Sequence, residues 1–293
     1  MNRDNQIIKI NQKDIEFSIL GEGEPILNLH GGHSNSNEEF GYESLITSGY
    51  QIITPSRPGY GRTSKEWNNL DQASQAYQAI INHLNLHKVH VIAVSAGGPS
   101  GIHFTSTYPE LVQSLTLQSA VTKTWLTPKN FLFHMAKLMF NPVTEKFTWA
   151  LTRRMNNWFP NFMFKQIAPS FTTLKKKELY SQILPTDVDE IRNMNNRYRS
   201  NHGFMLDLEL PNQMKLDNLH NIKAPTLIIH SSNDGSVPLD HPLFAHQNIT
   251  NSRLETIDTW GHLIWIGEGS EEAHQLQVDF LKENSLNTLS QKN

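Results

Sequence analysis

A serine, a histidine and an aspartate, each in its own loop context, are of the types that acyl transfer needs. Ser95 stands in Ala93-Val94-Ser95-Ala96-Gly97, where an apolar run gives way to a helical pattern. A serine on such a tight strand-to-helix turn is lifted clear of the sheet, and the positions two before and two after it must be small. Ala93 and Gly97 meet that demand. The bare pattern is weak, since a helix-capping serine leaves the same trace. Its position at the end of the most strand-like run in the chain is what gives it weight.

A hydroxyl attacks poorly unless a base takes its proton. Of the 14 histidines, His262 stands out because it follows Trp260-Gly261 in a loop after a late strand. A loop there can reach the carboxyl edge of a parallel sheet. The imidazole then needs an orienting carboxylate. Asp234, in Ser231-Ser232-Asn233-Asp234-Gly235 directly after an apolar strand, is the candidate, with Asp240 and Asp258 competing. The same Asn, Asp and Gly also form a turn on their own account. A tetrahedral intermediate needs amide donors. The Ala96 N–H at a helix start is placed for this, and the Gly32 N–H in His30-Gly31-Gly32-His33 is a second candidate. The alternative for Gly32 is a plain glycine turn after a strand.

The elements that would hold these residues follow from periodicity. Residues 7–10 and 15–20 alternate as half-buried strands do, and 25–30, 51–55, 89–94, 115–117, 225–230 and 254–257 read as further strands. Val89 to Val94 is a near-continuous apolar run, the mark of a central parallel strand. Helices are expected over about 72–86, 97–107 and 271–281. Strands alternating with helices imply an α/β sheet, antiparallel at first and then mostly parallel.

The stretch from about 122 to 216 breaks that rhythm. It reads as helical and aromatic-rich, a lid inserted between two core strands, with Phe131, Phe133, Phe140, Phe147, Trp149, Trp158, Phe159, Phe162 and Phe164. Aromatics at helical spacing are expected to form the lid's own core. A membrane-surface role for residues 158–164 is the lesser reading, because the flanking charge is modest. Lys175-Lys176-Lys177 is expected on a solvated helix face, and most of Arg153, Arg154, Arg192, Arg197 and Arg199 at the surface.

Composition narrows the classes. The 293 residues are 38 % hydrophobic, enough for a sizeable core. With 25 Lys and Arg against 28 Asp and Glu the net charge is -3, which lacks the footprint of a nucleic-acid binder. There is no cysteine, so disulfides, thiolate zinc sites and cysteine nucleophiles are excluded. No metal-ligand or phosphate-loop pattern occurs, so neither a metal nor a cofactor is expected. The start, Met1-Asn2-Arg3-Asp4-Asn5-Gln6, has no apolar signal region, and no apolar run is long enough to span a bilayer. A cytoplasmic protein acting on a small molecule is expected, its oligomeric state open.

Taken in chain order, the pieces resemble the α/β-hydrolase fold family. They are His30-Gly31-Gly32, Ser56-Arg57-Pro58-Gly59-Tyr60-Gly61-Arg62-Thr63-Ser64, Ala93-Val94-Ser95-Ala96-Gly97-Gly98, Ala224 to His230 with Asp234 and Val237-Pro238, and Gly261-His262. The resemblance implies a mostly parallel central sheet flanked by helices, with a core of residues 1–121 and 217–283, a helical cap of 122–216 and a polar tail of 284–293. It implies a Ser95, His262, Asp234 triad with Gly32 and Ala96 as the oxyanion hole. Two departures stand out: Ala93 where the family most often has Gly, and Ser231-Ser232-Asn233 where Gly is common. A serine nucleophile argues against the aspartate-dependent dehalogenases and epoxide hydrolases of the family. The expected activity is hydrolysis of an ester-like bond of a small apolar substrate. A carbon–carbon bond hydrolase, an iminopeptidase, or a ligand receptor with little turnover are the alternatives.

Overall fold

The computed structural model describes residues 3–285. The polar tail expected over 284–293 lies, beyond its first two residues, outside the described residues.

Eight strands form one sheet: β1 (Asp4–Ile10), β2 (Lys13–Leu20), β3 (Glu24–Leu29), β4 (Tyr50–Pro55), β5 (Val89–Val94), β6 (Val112–Gln118), β7 (Thr226–Ser231) and β8 (Ser252–Ile257). Their order across the sheet is β1-β2-β4-β3-β5-β6-β7-β8. The pairs β1·β2 and β2·β4 are antiparallel, and every later pair is parallel. The expected change from antiparallel to parallel therefore falls at β4.

Side chains alternate across a strand, and the sheet uses both faces. Leu27, Leu29, Ile53, Val91, Ala93 and Ile228 join one core with α2 (Leu70–His83) and α3 (Gly98–Thr107). Their neighbours Ile26, Ile52 and Ile92 turn to the other face, against α1 (Tyr42–Thr47) and the C-terminal helix (Ser270–Glu283). Covering both faces is why β5 reads as continuously apolar rather than alternating.

Between β6 and β7 the chain is helical: α4 (Phe131–Phe140), α5 (Glu145–Trp158), α6 (Pro160–Ile167), α7 (Lys176–Ser181), α8 (Asp187–Arg197), α9 (Gly203–Asp207) and α10 (Leu216–His220). α11 (Asp240–Asn248) follows β7, and α12 is the C-terminal helix. The sequence reading missed α1 and α11. α1 is only six residues long and starts at Gly41 with φ +73°, while α11 holds Pro242 in its first turn and has almost no apolar stripe.

The expectation that the aromatics of this segment pack inward holds for Trp149 and Phe164, which are buried. It fails for Phe131, Phe147, Trp158, Phe159 and Phe162, all at least half exposed. Four of them sit on the outer faces of α4 to α6 and Phe159 in the junction between α5 and α6, where the helices meet no further layer. Lys175 to Lys177 are exposed, as expected. No helix among the described residues is long and apolar enough to cross a membrane.

Candidate active site

The turn after β5 places Ser95 at its apex. Ser95 has φ +50°, in the left-handed region that a serine rarely occupies. Strain of this kind persists only where its surroundings enforce it. Here a Cβ on Gly97 would lie 2.3 Å from the Leu29 carbonyl oxygen, and one on Gly98 would lie 2.1 Å from that of Val121. The turn is thus clamped between β3 and the chain leaving β6. The Val121 N–H also donates to the Ser95 carbonyl at 2.9 Å. The departure at Ala93 has a local answer: its methyl faces Gly101 on α3, where an added Cβ would come within 2.4 Å.

Ser95 Oγ lies 2.9 Å from His262 Nε2, and His262 Nδ1 lies 2.7 Å from Asp234 Oδ2. The carboxylate can only accept here, so the Nδ1–H donates to Asp234 and Nε2 is left to accept from the serine hydroxyl. Asp234 Oδ1 also accepts from the Ser236 and Val237 amides, each at 2.8 Å. Burial pushes the Asp234 carboxyl up. The charge and hydrogen bond of His262, the charge of His230 and the Val237 amide outweigh it and hold the group below its ordinary range. The competing acids are engaged elsewhere: Asp240 pairs with Lys123 at 2.6 Å, and Asp258 accepts from Asn233 at 2.9 Å.

The loops of Asp234 and His262 are held together by the inserted segment. The Phe171 carbonyl accepts from the His262 N–H at 2.8 Å and the Gly235 N–H at 3.1 Å. Gly261 permits this approach, since a Cβ there would meet the Phe171 oxygen at 2.4 Å.

Gly32 and Ala96 face each other beside Ser95, a Cβ on Gly32 lying 3.8 Å from that of Ala96. The Gly32 loop is braced from below. Arg57 Nε donates to the His30 carbonyl at 2.6 Å, and its other nitrogens bind Asp207 at 2.5 and 2.8 Å. Tyr60 adds a hydroxyl to Asp207 at 2.6 Å. Asp207, at the end of α9, carried no signal in the sequence.

These residues open into a cavity of about 610 Å³. Its floor holds Gly32, Ser95, Ala96 and His262, and its walls come largely from α4, α5, α6 and α8. Met135, Met139, Phe140, Trp149, Met163 and Ile167 make the wall mainly apolar. None of the five arginines considered from sequence lines it. Arg192 pairs with Asp189, Arg197 with Glu39 and Arg199 with Glu145, while Arg154 stacks on Trp158.

His33 is a cavity residue the sequence reading passed over. Trp149 Nε1–H donates to Ser200 Oγ at 2.8 Å, and Ser200 Oγ lies 2.7 Å from His33 Nδ1. The buried hydroxyl finds an acceptor for its own proton at that nitrogen, which puts the His33 proton on Nε2. Burial, with the charge of Arg57, pushes His33 down to about 3, so the ring is neutral. A second histidine, His230, donates from Nε2 to the Val237 carbonyl at 2.9 Å and lies 3.3 Å from Asp234. No cluster of three or more metal-ligating side chains occurs among the described residues.

Comparison with known proteins adds to the geometry. A family model described as alpha/beta hydrolase fold matches residues 24–268. The chain is 46 % identical to the uncharacterized hydrolase YcgS of Bacillus subtilis over 283 residues, covering 96 % of this chain and 100 % of the relative. It is 26 % identical to the 2-hydroxy-6-oxo-6-phenylhexa-2,4-dienoate hydrolase of Burkholderia cepacia, covering 94 % and 96 % of the two chains. Among solved structures, an alpha/beta hydrolase fold protein from Nakamurella multipartita superposes with TM-score 0.82 at 22 % identity, covering 96 % and 100 % of the two chains.

Proposed function

The chain belongs to the alpha/beta hydrolase fold family, and from that premise we propose that it is a serine hydrolase cleaving an ester-like bond of a neutral, largely apolar substrate. The observation that carries this reading is the unbroken hydrogen-bonded run from Ser95 through His262 to Asp234 at the floor of an apolar cavity.

Ser95 Oγ attacks the acyl carbon while His262 Nε2 takes the hydroxyl proton. Asp234 holds the imidazole by its Nδ1–H and stabilises the imidazolium. The Gly32 and Ala96 amides take the oxyanion, each worth about 3–4 kcal/mol in comparable sites. His262 then gives its proton to the leaving oxygen. Water, deprotonated by the same nitrogen, releases the acid and restores the serine. His33 offers a neutral N–H from the wall, suited to a carbonyl or ether oxygen. Residues 122–216 act as the cap over a core of 1–121 and 217–283.

Relatives named as dienoate hydrolases support a second reading, carbon–carbon bond cleavage on the same three residues. Such a substrate carries a carboxylate. Among the described residues no lysine or arginine lines the cavity, which favours the neutral ester. An iminopeptidase needs a free acid for its amine. Glu38 is the acid on the wall, and it is taken up by the Ser34 hydroxyl at 2.5 Å, the Glu39 amide at 2.8 Å and Arg197 at 3.6 Å.

The test is turnover of p-nitrophenyl esters of increasing acyl length beside a dienoate, with Ser95→Ala as the blank. Ester turnover that vanishes in Ser95→Ala supports the reading. Turnover of the dienoate alone moves the assignment to the second reading. Labelling of Ser95 by a fluorophosphonate without turnover of either points to a ligand receptor on this scaffold.

A further inference from the structure

The helices that wall the cavity have an outer face that the chemistry above does not use. On α4, Phe131 and Leu138 are 76 % and 63 % exposed, and on α5 Phe147 and Trp158 are 74 % and 62 % exposed. Val143 between them is 84 % exposed, and Phe162 on α6 is 53 % exposed. Phe131, Met135 and Leu138 fall at i, i+4 and i+7, as do Phe147, Leu151 and Trp158 at i, i+4 and i+11, so each helix presents one apolar stripe outward. A set of large apolar side chains on three successive helices is not ordinary surface.

The charge on the same stretch is one-sided. Residues 122–170 hold seven lysines and arginines and a single acid, Glu145, in a chain that has 25 bases and 28 acids overall. Glu145 is buried and paired with Arg199, and Lys123 is paired with Asp240. That leaves Lys129, Lys137, Lys146, Arg153, Arg154 and Lys165, none of them in an ion pair among the described residues. Five of the six are exposed, and Arg154 lies 4.6 Å over the exposed Trp158 ring. The flanking charge that looks modest around residues 158–164 is one part of an excess of unpaired bases spread over the three helices. Exposed aromatic and aliphatic groups on the same helices as long unpaired basic side chains match a layer whose interior is apolar and whose surface is anionic.

We propose that the outer face of α4 to α6 docks on an anionic lipid bilayer, and that the cavity takes its ester from that layer. Met135 and Met139 connect the two surfaces: both are more than a third exposed, and both line the cavity above Ser95. An apolar acyl chain passing between them never has to enter bulk water. The docking stands on the exposed face alone, whereas the origin of the substrate rests on the ester-hydrolase reading.

The experiment is co-sedimentation of the full chain with vesicles of phosphatidylglycerol and phosphatidylcholine, and with vesicles of phosphatidylcholine alone. Binding to the anionic vesicles is expected, weakened at least about tenfold without phosphatidylglycerol or in about 0.5 M salt. The double variant F147E/W158E is expected to lose it while keeping turnover of a water-soluble ester, because neither side chain lines the cavity. No sedimentation with either vesicle overturns the docking. So does binding that the variant leaves intact, or a dimer in sedimentation velocity that the variant splits without vesicle binding. Vesicle binding in a protein that turns over no ester keeps the docking face and overturns only the reading of the chemistry.

Discussion

Arg57 and Asp207, 150 positions apart, form a two-toothed ion pair in which both side chains are about 1 % exposed. The pair ties the loop bearing Gly32 to the end of α9. Burial alone lowers the affinity of Arg57 for its proton, but Asp207 outweighs this and holds the guanidinium charged. Two charges removed from water are tolerated only with full pairing. Arg57 meets that condition by donating to the His30 and Gly31 carbonyls as well.

Removing one partner should therefore cost more than removing both. Asp207→Ala leaves an uncompensated buried guanidinium and is expected to lower unfolding stability by about 3–5 kcal/mol. Urea unfolding followed by circular dichroism measures it. A loss below about 1 kcal/mol, the range of an exposed pair, contradicts the buried geometry.

Ser95 sets stability against chemistry. Its φ of +50° suits glycine and strains every side chain. Ser95→Gly should be inactive yet more stable than Ser95→Ala by about 1 kcal/mol, read as a higher Tm. Equal Tm values for the two variants would show that the turn carries no strain.

The sequence made the sheet legible where burial left a pattern. Val89 to Val94 is recognisable because both of its faces are covered, and its ends match the expected ones. Ser95 is legible because it follows that strand directly, and His262 because it lies in the loop after a late strand, β8. Chain order does not separate Asp234 from Asp240 and Asp258, since all three lie between Ser95 and His262; only its place directly after an apolar strand marks it, and the contact that sets it apart spans 28 residues. Asp207 and His33 were not legible at all. The roles of both depend on partners about 150 residues or more away, Arg57 and Ser200, and no local periodicity encodes such pairs. The outward aromatics are illegible for a related reason. Helical spacing reveals a stripe but not whether anything lies against it.

Stability should begin to fall on the acid side in the range where unfolded histidines take up protons. The unfolded chain protonates its histidines near pH 6.5, whereas burial holds His33 down to about 3 and His241 to about 4. Between those values the unfolded state binds more protons, so stability rises with pH. The contribution is complete above about pH 6.5 and is lost as pH drops toward the folded values. Asp234, also lowered, adds a loss only below the ordinary carboxylate range. Urea midpoints at pH 7.5 and 5.0 test this, with a lower midpoint expected at pH 5.0. Identical midpoints would contradict the burial of these rings.

His33 should act on binding more than on bond cleavage. His33→Phe keeps a ring stacked on Phe204, 4.1 Å away, and removes the N–H. Loss of one neutral hydrogen bond, about 0.5–1.5 kcal/mol, predicts a several-fold rise in KM for an ester with a polar acyl oxygen. Steady-state kinetics should show no such rise for a plain alkyl ester. A fall in kcat alone, equal for both esters, would place His33 outside substrate binding.

Ala93 and Gly101 share one space, and that sharing gives a test with a built-in reversal. In a sheet-to-helix contact this close, a second methyl must displace the backbone, and overpacking of this kind costs about 1–3 kcal/mol. Gly101→Ala would bring two Cβ atoms to 2.4 Å, so it should be destabilising even though alanine is the better helix former. Ala93→Gly removes the opposing methyl. The next atoms around the new Cβ, Ala93 Cα at 3.7 Å and a Leu115 methyl at 3.8 Å, are at ordinary contact distance. The double variant Ala93→Gly with Gly101→Ala should thus recover most of the stability lost in Gly101→Ala. A double-mutant cycle by urea unfolding should give a coupling of at least about 1 kcal/mol. Strict additivity of the two substitutions would mean that α3 simply moves away from β5, and that Ala93 needs no glycine opposite it.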